Sequence, residues 1–367
     1  MKTNRRDWLK ATLLGGAALT LSPFESMAKQ TPNYKSMSRN SDSIRLCFNE
    51  NPFGVSPLAL QAMQSNLSLA SIYDFKFGNV LAEKLASYNQ LKPENILIAA
   101  GSSYLLEMII KYVAEEKANF ITPNPSFTLF SEIGTYLGMQ EVSVPLTATK
   151  RIDLQQMRKL VTKDTKLVYI CNPNNPTGDL IARKEMESFI SSIPSRVLIL
   201  VDEAYIEFTS EKSLSDLVTS YPNLIITRTF SKLFGFAGAR LGYAMGNKTV
   251  IDKLKKLETW TGSGISSVTM AGGIAALQDE EFIQKVLDNN IKAKNYLYAE
   301  FDKRGIKYIP SQANFVYFSL ENYKGDYFEK IKSAKILGSK LSEKEGKWTR
   351  ISIGTLEQMN YFIQSVF

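Results

Sequence analysis

The residues best suited to chemistry lie between Arg228 and Arg240, where a lysine precedes a glycine-rich turn that ends in an arginine. Lys232 follows the apolar run 224–226, and Arg240 comes eight residues after the lysine. A lysine that is removed from water has a lowered pKa and can form a Schiff base with a carbonyl compound. Small residues such as Gly235 let the backbone approach a ligand closely. Taken alone, the stretch fits a loop lysine beside a helix-packing glycine better, and two further stretches reverse that interpretation.

Groups that suit a phosphate surround this lysine. Ser231 precedes it, and the planar guanidinium of Arg240 can bind two phosphate oxygens at once; Thr229 is a further hydroxyl candidate. A Schiff base and a phosphate site together describe an aldehyde that carries a phosphate, and pyridoxal 5'-phosphate is such a compound. The sequence therefore predicts this cofactor, with Lys232 as its attachment point and as the general base.

Two further stretches place complementary groups after apolar runs. Asn175, in Asn-Pro-Thr-Gly, follows the run 167–170, and Asp202 ends the run 197–201. A carboxylate at the end of a buried strand is costly unless it is paired, and a protonated pyridine nitrogen is a suitable partner. Such a pair keeps the ring cationic, so that it can accept electrons from the substrate. The alternatives are an ordinary turn and a solvated carboxylate at a strand end.

In their order and spacing, these three stretches resemble the fold-type I (class I and II) aminotransferases, and the sequence from 45 to 367 resembles the histidinol-phosphate aminotransferase branch most closely. The resemblance implies that Lys232, Asp202 and Tyr205 are catalytic. It also implies that Asn175 and Tyr205 hydrogen-bond the ring oxygen of the cofactor.

The same resemblance implies further cofactor-binding residues. Ser102 and Ser103 open a predicted helix, where backbone N–H groups and the helix dipole can bind phosphate, although Ser102 also suits a plain helix cap. Phe127 stands where the family places an aromatic ring over the cofactor, although it also suits core packing. Tyr73 matches a tyrosine that reaches the cofactor phosphate of the neighbouring subunit, which implies a homodimer.

Asn49 and Arg350 are the candidates for substrate binding. Asn49 belongs to an Asn-Glu-Asn-Pro segment that packs across the site in the family. Arg350 matches the arginine that binds an anionic group, a carboxylate in most aminotransferases or the phosphate of histidinol phosphate; the alternative is a strand-edge ion pair. The segment 338–348 carries charges where relatives have a glycine-rich specificity loop. The donor therefore stays open between an amino acid and a histidinol-phosphate-like compound.

From Asn95 onward, short β-branched runs alternate with amphipathic helical stretches. This alternation predicts an α/β fold with a mostly parallel seven-stranded sheet between layers of helices, which the resemblance makes an aspartate aminotransferase-like fold. The predicted strands are 96–100, 118–122, 140–144, 166–170, 197–202, 224–229 and 241–245. The predicted parts are a large cofactor-binding domain (73–251), a smaller α+β domain (252–367) and a segment (46–72) that joins the small domain.

The N-terminal residues predict an export signal. Arg5 and Arg6 precede an apolar run of eleven residues, 11–21, which is too short to span a bilayer. The paired arginines resemble a twin-arginine signal, and cleavage after Ala28 would release a periplasmic or cell-envelope protein with a flexible leader over 29–45. An ordinary secretory signal and an uncleaved anchor are the alternatives.

The composition excludes several kinds of site. The chain has no histidine, which rules out Ser-His-Asp and Cys-His catalysis and His-ligated zinc; no metal site is predicted. Cys47 and Cys171 have no metal-binding or redox spacing and are predicted to be buried free thiols, with a disulfide as the alternative. The net charge of +8 is not arranged in basic runs with interleaved aromatics, so nucleic-acid binding is not indicated.

The sequence as a whole predicts an exported, homodimeric, pyridoxal-phosphate-dependent aminotransferase. It would move an amino group from an amino donor to a 2-oxo acid in a ping-pong cycle based on Schiff bases, and it would use the twin-arginine export machinery. One alternative is a decarboxylase resembling the threonine-phosphate decarboxylases. The other is a non-catalytic exported binding protein on the same fold, which the presence of both Lys232 and Asp202 disfavours.

Overall fold

The computed structural model of the chain describes residues 43–73, 75–127, 129–258, 264–339 and 347–367. The predicted signal peptide, its cleavage site after Ala28 and most of the charged segment 338–348 lie outside these ranges. Residues Ile44–Phe367 form one compact unit. The first strand, β1 (Ile44–Leu46), includes the last two residues of the predicted leader, which therefore ends earlier than position 45.

A seven-stranded sheet carries the elements that follow one another from position 96 to position 246. Its strands are β2 (Ile96–Ala99), β3 (Asn119–Asn124), β4 (Gln140–Pro145), β5 (Thr165–Cys171), β6 (Leu198–Asp202), β7 (Leu224–Thr229) and β8 (Gly242–Gly246). Their spatial order is β2-β8-β7-β6-β5-β3-β4. The neighbouring strands are parallel except where β8 pairs with β2 and with β7, and both of those pairs are antiparallel. The predicted strands and the mostly parallel sheet are confirmed.

Side chains from the central strands are buried on both faces of the sheet. Along β5, Val168 and Ile170 face one core, whereas Leu167 and Tyr169 face the other. Buried parallel strands read as continuous apolar runs for this reason, because neither face meets water.

The helices pack on the sheet and on one another. They are α1 (Pro57–Ser65), α2 (Lys76–Tyr88), α3 (Ser102–Val113), α4 (Leu129–Tyr136), α5 (Leu154–Lys159), α6 (Arg183–Ser192), α7 (Lys248–Lys255), α8 (Ser267–Ala276) and α9 (Glu280–Lys303). The long helix α9 begins after Asp279, whose side chain accepts a hydrogen bond from the backbone of Phe282 and so caps the first turn. Within the described ranges, no helix combines the length and the apolar composition needed to cross a bilayer.

A second, antiparallel sheet follows α9. Its spatial order is β12-β10-β9, and its strands are β9 (Tyr308–Ile309), β10 (Phe315–Ser319) and β12 (Trp348–Ser352). The helices α10 (Tyr327–Ser333) and α11 (Leu356–Val366) complete this part. A short strand, β11 (Ile336–Gly338), pairs in parallel with β1 and ties the start of the described chain to its C-terminal part. The predicted domain boundaries stay predictions.

The topology brings the ends of three neighbouring strands together. Strands β5, β6 and β7 are parallel and adjacent, and they end at Cys171, Asp202 and Thr229. The residues that follow parallel strands meet at one edge of the sheet, where ligands of open α/β sheets bind.

Candidate active site

A cavity of about 270 Å³ lies at this edge of the sheet. That volume is close to the lower end of the roughly 300–1,000 Å³ that small-molecule sites occupy. Most of the predicted site residues line the cavity, namely Ser102, Ser103, Phe127, Asn175, Asp202, Tyr205, Ser231, Lys232 and Arg240. The sequence did not indicate Phe48 and Glu50, which also line it.

Lys232 presents its amine to the cavity three residues after β7. Its Nζ donates a hydrogen bond of 2.9 Å to the backbone oxygen of Phe48. Burial lowers the pKa of Lys232 to about 8, and the positive charge of Arg350 acts in the same direction, whereas the Glu50 carboxylate opposes it. A much larger fraction of this amine is therefore neutral near neutral pH than for an ordinary lysine, and the neutral amine is the nucleophile.

Asp202 is the buried carboxylate of the site, with 3% of its surface exposed. Thr227 donates to its Oδ1 at 3.1 Å, and Tyr169 donates to its Oδ2 at 3.4 Å. Burial raises the pKa of Asp202 to about 6, and these two donors limit the rise. The carboxylate is therefore mostly ionised at pH 7 and suits a cationic ring nitrogen. The sequence missed both donors, which lie on the strands that flank β6.

Asn175 is oriented by Arg350. The Nη1 of Arg350 donates to the side-chain oxygen of Asn175. Because a guanidinium can only donate, the oxygen of the Asn175 amide faces Arg350 and its NH₂ group is left to donate elsewhere. The NH₂ group therefore suits an acceptor in the cavity, such as a ring oxygen.

Arg350 is a buried cation, with 8% of its surface exposed. Its Nη2 donates to the backbone oxygen of Cys47 at 2.8 Å and to the hydroxyl of Ser339 at 2.9 Å. Its Nε is buried and has no hydrogen-bond partner within the described residues. Burial lowers the pKa of Arg350, but a guanidinium stays charged in proteins. A buried cation is costly unless an anion compensates it, so Arg350 suits an anionic ligand. The predicted alternative, a surface ion pair, does not describe it.

Several of the groups that line the cavity suit a phosphate. The Nη1 of Arg240 lies 3.4 Å from the Ser231 hydroxyl, which also accepts from Thr229 at 2.9 Å. Ser102 and Ser103 open α3, whose first turn contains no acidic residue. A Cβ atom at Gly101 would lie 2.4 Å from Nη2 of Arg240, so only glycine lets the guanidinium approach the start of the helix.

Asn49 lies behind the site instead of lining it. The residue is buried, and its Nδ2 donates a 3.0 Å hydrogen bond to the hydroxyl of Tyr205. The ring of Tyr205 packs edge-on against Phe315 at 5.0 Å between centroids. The predicted contact between Asn49 and a substrate stays a prediction.

Tyr73 stands apart from the Lys232 cavity. It is 75% exposed and lines a separate and larger cavity of about 930 Å³, which also involves Ile72, Phe75 and Met270. A role in the site of the same chain is therefore not supported by this geometry. The predicted role concerns a neighbouring subunit.

The two cysteines are buried free thiols, as predicted. Burial is the main reason why the pKa of the Cys171 thiol lies well above its usual value. Its Sγ donates to the backbone oxygen of Pro173. Cys171 lines the cavity but is protonated at neutral pH, so it is not a competing nucleophile.

The chain matches a known family over nearly all its described length. The family model "Aminotransferase class I and II" matches residues 41–366. Histidinol-phosphate aminotransferase 2 of Legionella pneumophila (strain Lens) is 33% identical over 332 residues, which are 89% of this chain and 89% of that protein. The histidinol-phosphate aminotransferase of Halalkalibacterium halodurans is 31% identical and covers 86% of each chain.

A solved structure agrees with these sequence relatives. The histidinol-phosphate aminotransferase of Sinorhizobium meliloti, solved in complex with pyridoxal-5'-phosphate, superposes with a TM-score of 0.81 at 26% identity. The superposition covers 88% of this chain and 89% of that one. The predicted fold class is confirmed.

The cavity fits the cofactor that the sequence predicts. It offers an amine of lowered pKa, a buried carboxylate, an aromatic ring and two donors for a ring oxygen, and a phosphate would find a guanidinium, hydroxyls and a helix N-terminus at one end. The predicted enzyme class and cofactor are confirmed together with the fold. The chain therefore belongs to the class I and II aminotransferases, the pyridoxal-phosphate-dependent enzymes that transfer amino groups.

Proposed function

We propose that the protein is an exported homodimer that moves an amino group between an amino-acid-like donor and a 2-oxo acid in a ping-pong cycle. The observation that carries the proposal is the lowered pKa of the Lys232 amine in a cavity that also contains the Asp202 carboxylate. The buried cation of Arg350 lies next to this cavity through its bond to Asn175.

Each group of the cavity has a defined task toward the cofactor. When bound, pyridoxal phosphate supplies the carbonyl that takes the amino group and the ring that accepts electrons. Asp202 would hold the ring nitrogen as a cation, and Asn175 and Tyr205 would donate to the ring oxygen. Phe127 would pack against the ring. Ser231, Arg240 and the N-terminus of α3, with the Ser102 and Ser103 amides, would hold the phosphate.

Lys232 acts twice in this proposal. Its neutral amine would hold the cofactor, and once the donor displaces it, the same Nζ would accept a proton from the α-carbon of the donor and pass it to the cofactor carbon. A pKa of about 8 lies close to the working pH, which is where a general base is most effective. Because the amine would be free from its release by the donor until the second product leaves, it could serve as the base in both half-reactions.

Arg350 serves both substrates. An amino-acid donor and a 2-oxo acid acceptor each carry a carboxylate, so the one guanidinium of Arg350 can bind either of them in turn. This sharing fits a ping-pong cycle, in which the donor product leaves before the acceptor enters. The phosphate of an amino-alcohol phosphate, such as histidinol phosphate, has the same charge complementarity, and the relatives described above carry that substrate in their names.

The homodimer is supported by the surface around Tyr73. Leu67, Ile72 and Phe75 are each more than half exposed, and all three lie within six positions of Tyr73 in the chain. An exposed apolar patch of this kind is typical of a protein–protein interface. We propose that a second copy of the chain covers it and that Tyr73 then serves the partner's cofactor phosphate.

Export rests on the N-terminal residues, which lie outside the described part of the chain. Replacing Arg5 and Arg6 by lysine keeps the charge but removes the paired arginines that a twin-arginine signal requires. The variant should stay in the cytoplasm at its precursor length. Normal export of this variant would assign the protein to the general secretory route.

A panel of amino donors tests the reaction. The purified protein, loaded with pyridoxal phosphate, is given amino acids and histidinol phosphate together with 2-oxoglutarate, and glutamate, new 2-oxo acids and CO₂ are measured. We expect stoichiometric glutamate formation from at least one donor and no CO₂. Release of CO₂ without transfer would assign the decarboxylase alternative, and absence of any reaction would favour the binding-protein alternative.

A further inference from the structure

A closed set of hydrogen bonds joins Asn49, Ser352 and Tyr205 behind the cavity. The backbone N–H of Asn49 donates to Oγ of Ser352 at 2.8 Å. The Ser352 hydroxyl donates to Oδ1 of Asn49 at 2.9 Å, and Nδ2 of Asn49 donates to the Tyr205 hydroxyl at 3.0 Å. All three residues are buried, so water does not compete for these groups.

The donor and the acceptor of each hydrogen bond in this set can be assigned by starting from the backbone N–H of Asn49. A backbone N–H can only donate, so Ser352 Oγ accepts from Asn49, and the acceptor recorded among the described residues for its own proton is Oδ1 of Asn49. Asn49 Oδ1 receives that proton and is therefore the oxygen of the amide. The NH₂ group then faces Tyr205, whose oxygen accepts.

Tyr205 consequently has to give its own proton to something else. Burial raises the pKa of Tyr205, so the hydroxyl keeps its proton at neutral pH. The charged groups that act on the ring are Arg350 and Asp202, together with Lys232, whose Nζ lies 5.8 Å from the ring centroid. No hydrogen bond recorded within the described residues gives the Tyr205 proton an acceptor in the protein. Because Tyr205 lines the cavity, its hydroxyl can donate this proton to an acceptor that is bound there.

We infer that Asn49 and Ser352 are positioning residues, which force the Tyr205 hydroxyl to donate into the cavity and so to hydrogen-bond the ring oxygen of the cofactor. The inference rests on the proposed function of the cavity. It gives Asn49 a task different from the predicted substrate contact, and it gives Ser352 a task that its sequence position does not indicate.

The reversed orientation of the Asn49 amide would turn the Tyr205 proton away from the cavity. If the Asn49 amide were turned around, its oxygen would take the Tyr205 proton, and the ring oxygen would face a lone pair. A donated proton stabilises the anionic ring oxygen and makes it a weaker partner for the proton on the attached Lys232 nitrogen. The direction of the Tyr205 proton therefore sets the pKa of that nitrogen.

The pKa of the attached nitrogen can be read from the visible absorbance of the pyridoxal-phosphate-loaded protein as the pH is changed. Tyr205→Phe should raise this pKa by about one unit, because one hydrogen bond to the anionic oxygen is lost. The test measures the same Y205F shift in three other backgrounds. Asn49→Asp replaces the donor by an acceptor, Ser352→Ala lets the amide turn, and Ser319→Ala removes a hydroxyl of the same sheet that does not contact the site.

If the inference holds, the Y205F shift is at most half as large in the N49D or the S352A background as in the wild-type background, because the proton has already turned away. The S319A background should retain the full shift. A full shift in both the N49D and S352A backgrounds would overturn the inference. Thermal melting of each variant shows that it is folded, and S352A introduces no charge, so a folding defect of N49D alone does not decide the outcome.

The proposed function and the positioning roles of Asn49 and Ser352 can be contradicted separately. A protein that develops no visible band with pyridoxal phosphate contradicts the proposed function and this inference together. A protein that develops a titrating band, but has additive Y205F shifts, contradicts only the roles of Asn49 and Ser352.

Discussion

The guanidinium of Arg350, on β12, donates a hydrogen bond to the side-chain oxygen of Asn175, which follows β5 in the other sheet. The bond joins the residue that suits a substrate anion to the turn that suits the cofactor. Since Arg350 also lowers the pKa of Lys232, its charge acts on cofactor attachment as well as on substrate binding.

Removing the Arg350 charge should therefore have two separable effects. Arg350→Leu should lower kcat/KM by about 100-fold for both the amino acid and the 2-oxo acid, because a desolvated charge pair is lost. It should also raise the pKa of Lys232, which is measured as the pH dependence of cofactor attachment. Arg350→Lys, which keeps the charge without the planar fork, is the control and should recover the pKa but not the full kcat/KM. Unchanged kinetics for both substrates would exclude Arg350 from substrate binding.

The titration of the Asp202 carboxylate should make the affinity for the cofactor depend on pH. The ionised carboxylate holds the cationic ring nitrogen, and its pKa in the empty site is about 6, so affinity should fall as the pH drops through 6. Asp202→Asn should bind the cofactor weakly at all pH values and lose this dependence. The ratio of the dissociation constants of the two proteins, measured from pH 5 to pH 8, cancels the titration of the cofactor itself. A constant ratio over that range would contradict the pairing.

Loss of the Arg240 guanidinium should weaken the binding of a ligand that carries a phosphate and spare one that lacks it. Arg240→Ala should weaken the binding of pyridoxal phosphate by about 10- to 100-fold, the range expected for a charge-assisted hydrogen bond. Pyridoxal, which lacks the phosphate, should bind this variant nearly as well as it binds the wild type. Arg304→Ala is a matched control, because Arg304 pairs with Glu300 on a distant helix. Equal losses for both ligands would place Arg240 elsewhere than at the phosphate.

If Tyr73 acts in the site of the neighbouring subunit, a Lys232→Ala variant and a Tyr73→Ala variant should complement each other. A Lys232→Ala subunit supplies an intact Tyr73, and a Tyr73→Ala subunit supplies an intact Lys232, so a mixed dimer has one complete site. Random mixing after unfolding and refolding, or co-expression, should give about a quarter of wild-type activity, because half of the dimers are mixed and each has one working site of two. If the mixture has only the average activity of the separate variants, Tyr73 does not act across an interface.

The sequence was sufficient for the residues that follow strands. Asn175, Asp202 and Lys232 each come after a buried apolar run, and parallel strands end at the same edge of a sheet, so their convergence was predictable.

Contacts between distant parts of the chain could not be predicted in this way. The bonds of Asn49 with Ser352 and of Lys232 with Phe48 join positions 303 and 184 residues apart, and neither leaves a local pattern in the sequence. The donors to Asp202, Thr227 and Tyr169, depend on which strands become neighbours. The parallel pairing of β1 with β11 rests on three residues in each strand, too few for a periodic signal.

Borohydride reduction tests the central claim most directly. The protein is loaded with pyridoxal phosphate, reduced and digested, and the labelled peptide is located by mass spectrometry. Lys294 is an internal control: burial lowers its pKa to about 8 as well, but it donates to the backbone oxygen of Ser311 at 2.7 Å and does not line the cavity. We predict a stoichiometric label on Lys232, none on Lys294, and no label in Lys232→Ala. A label on another lysine, or none at all, would contradict the assignment of the cavity.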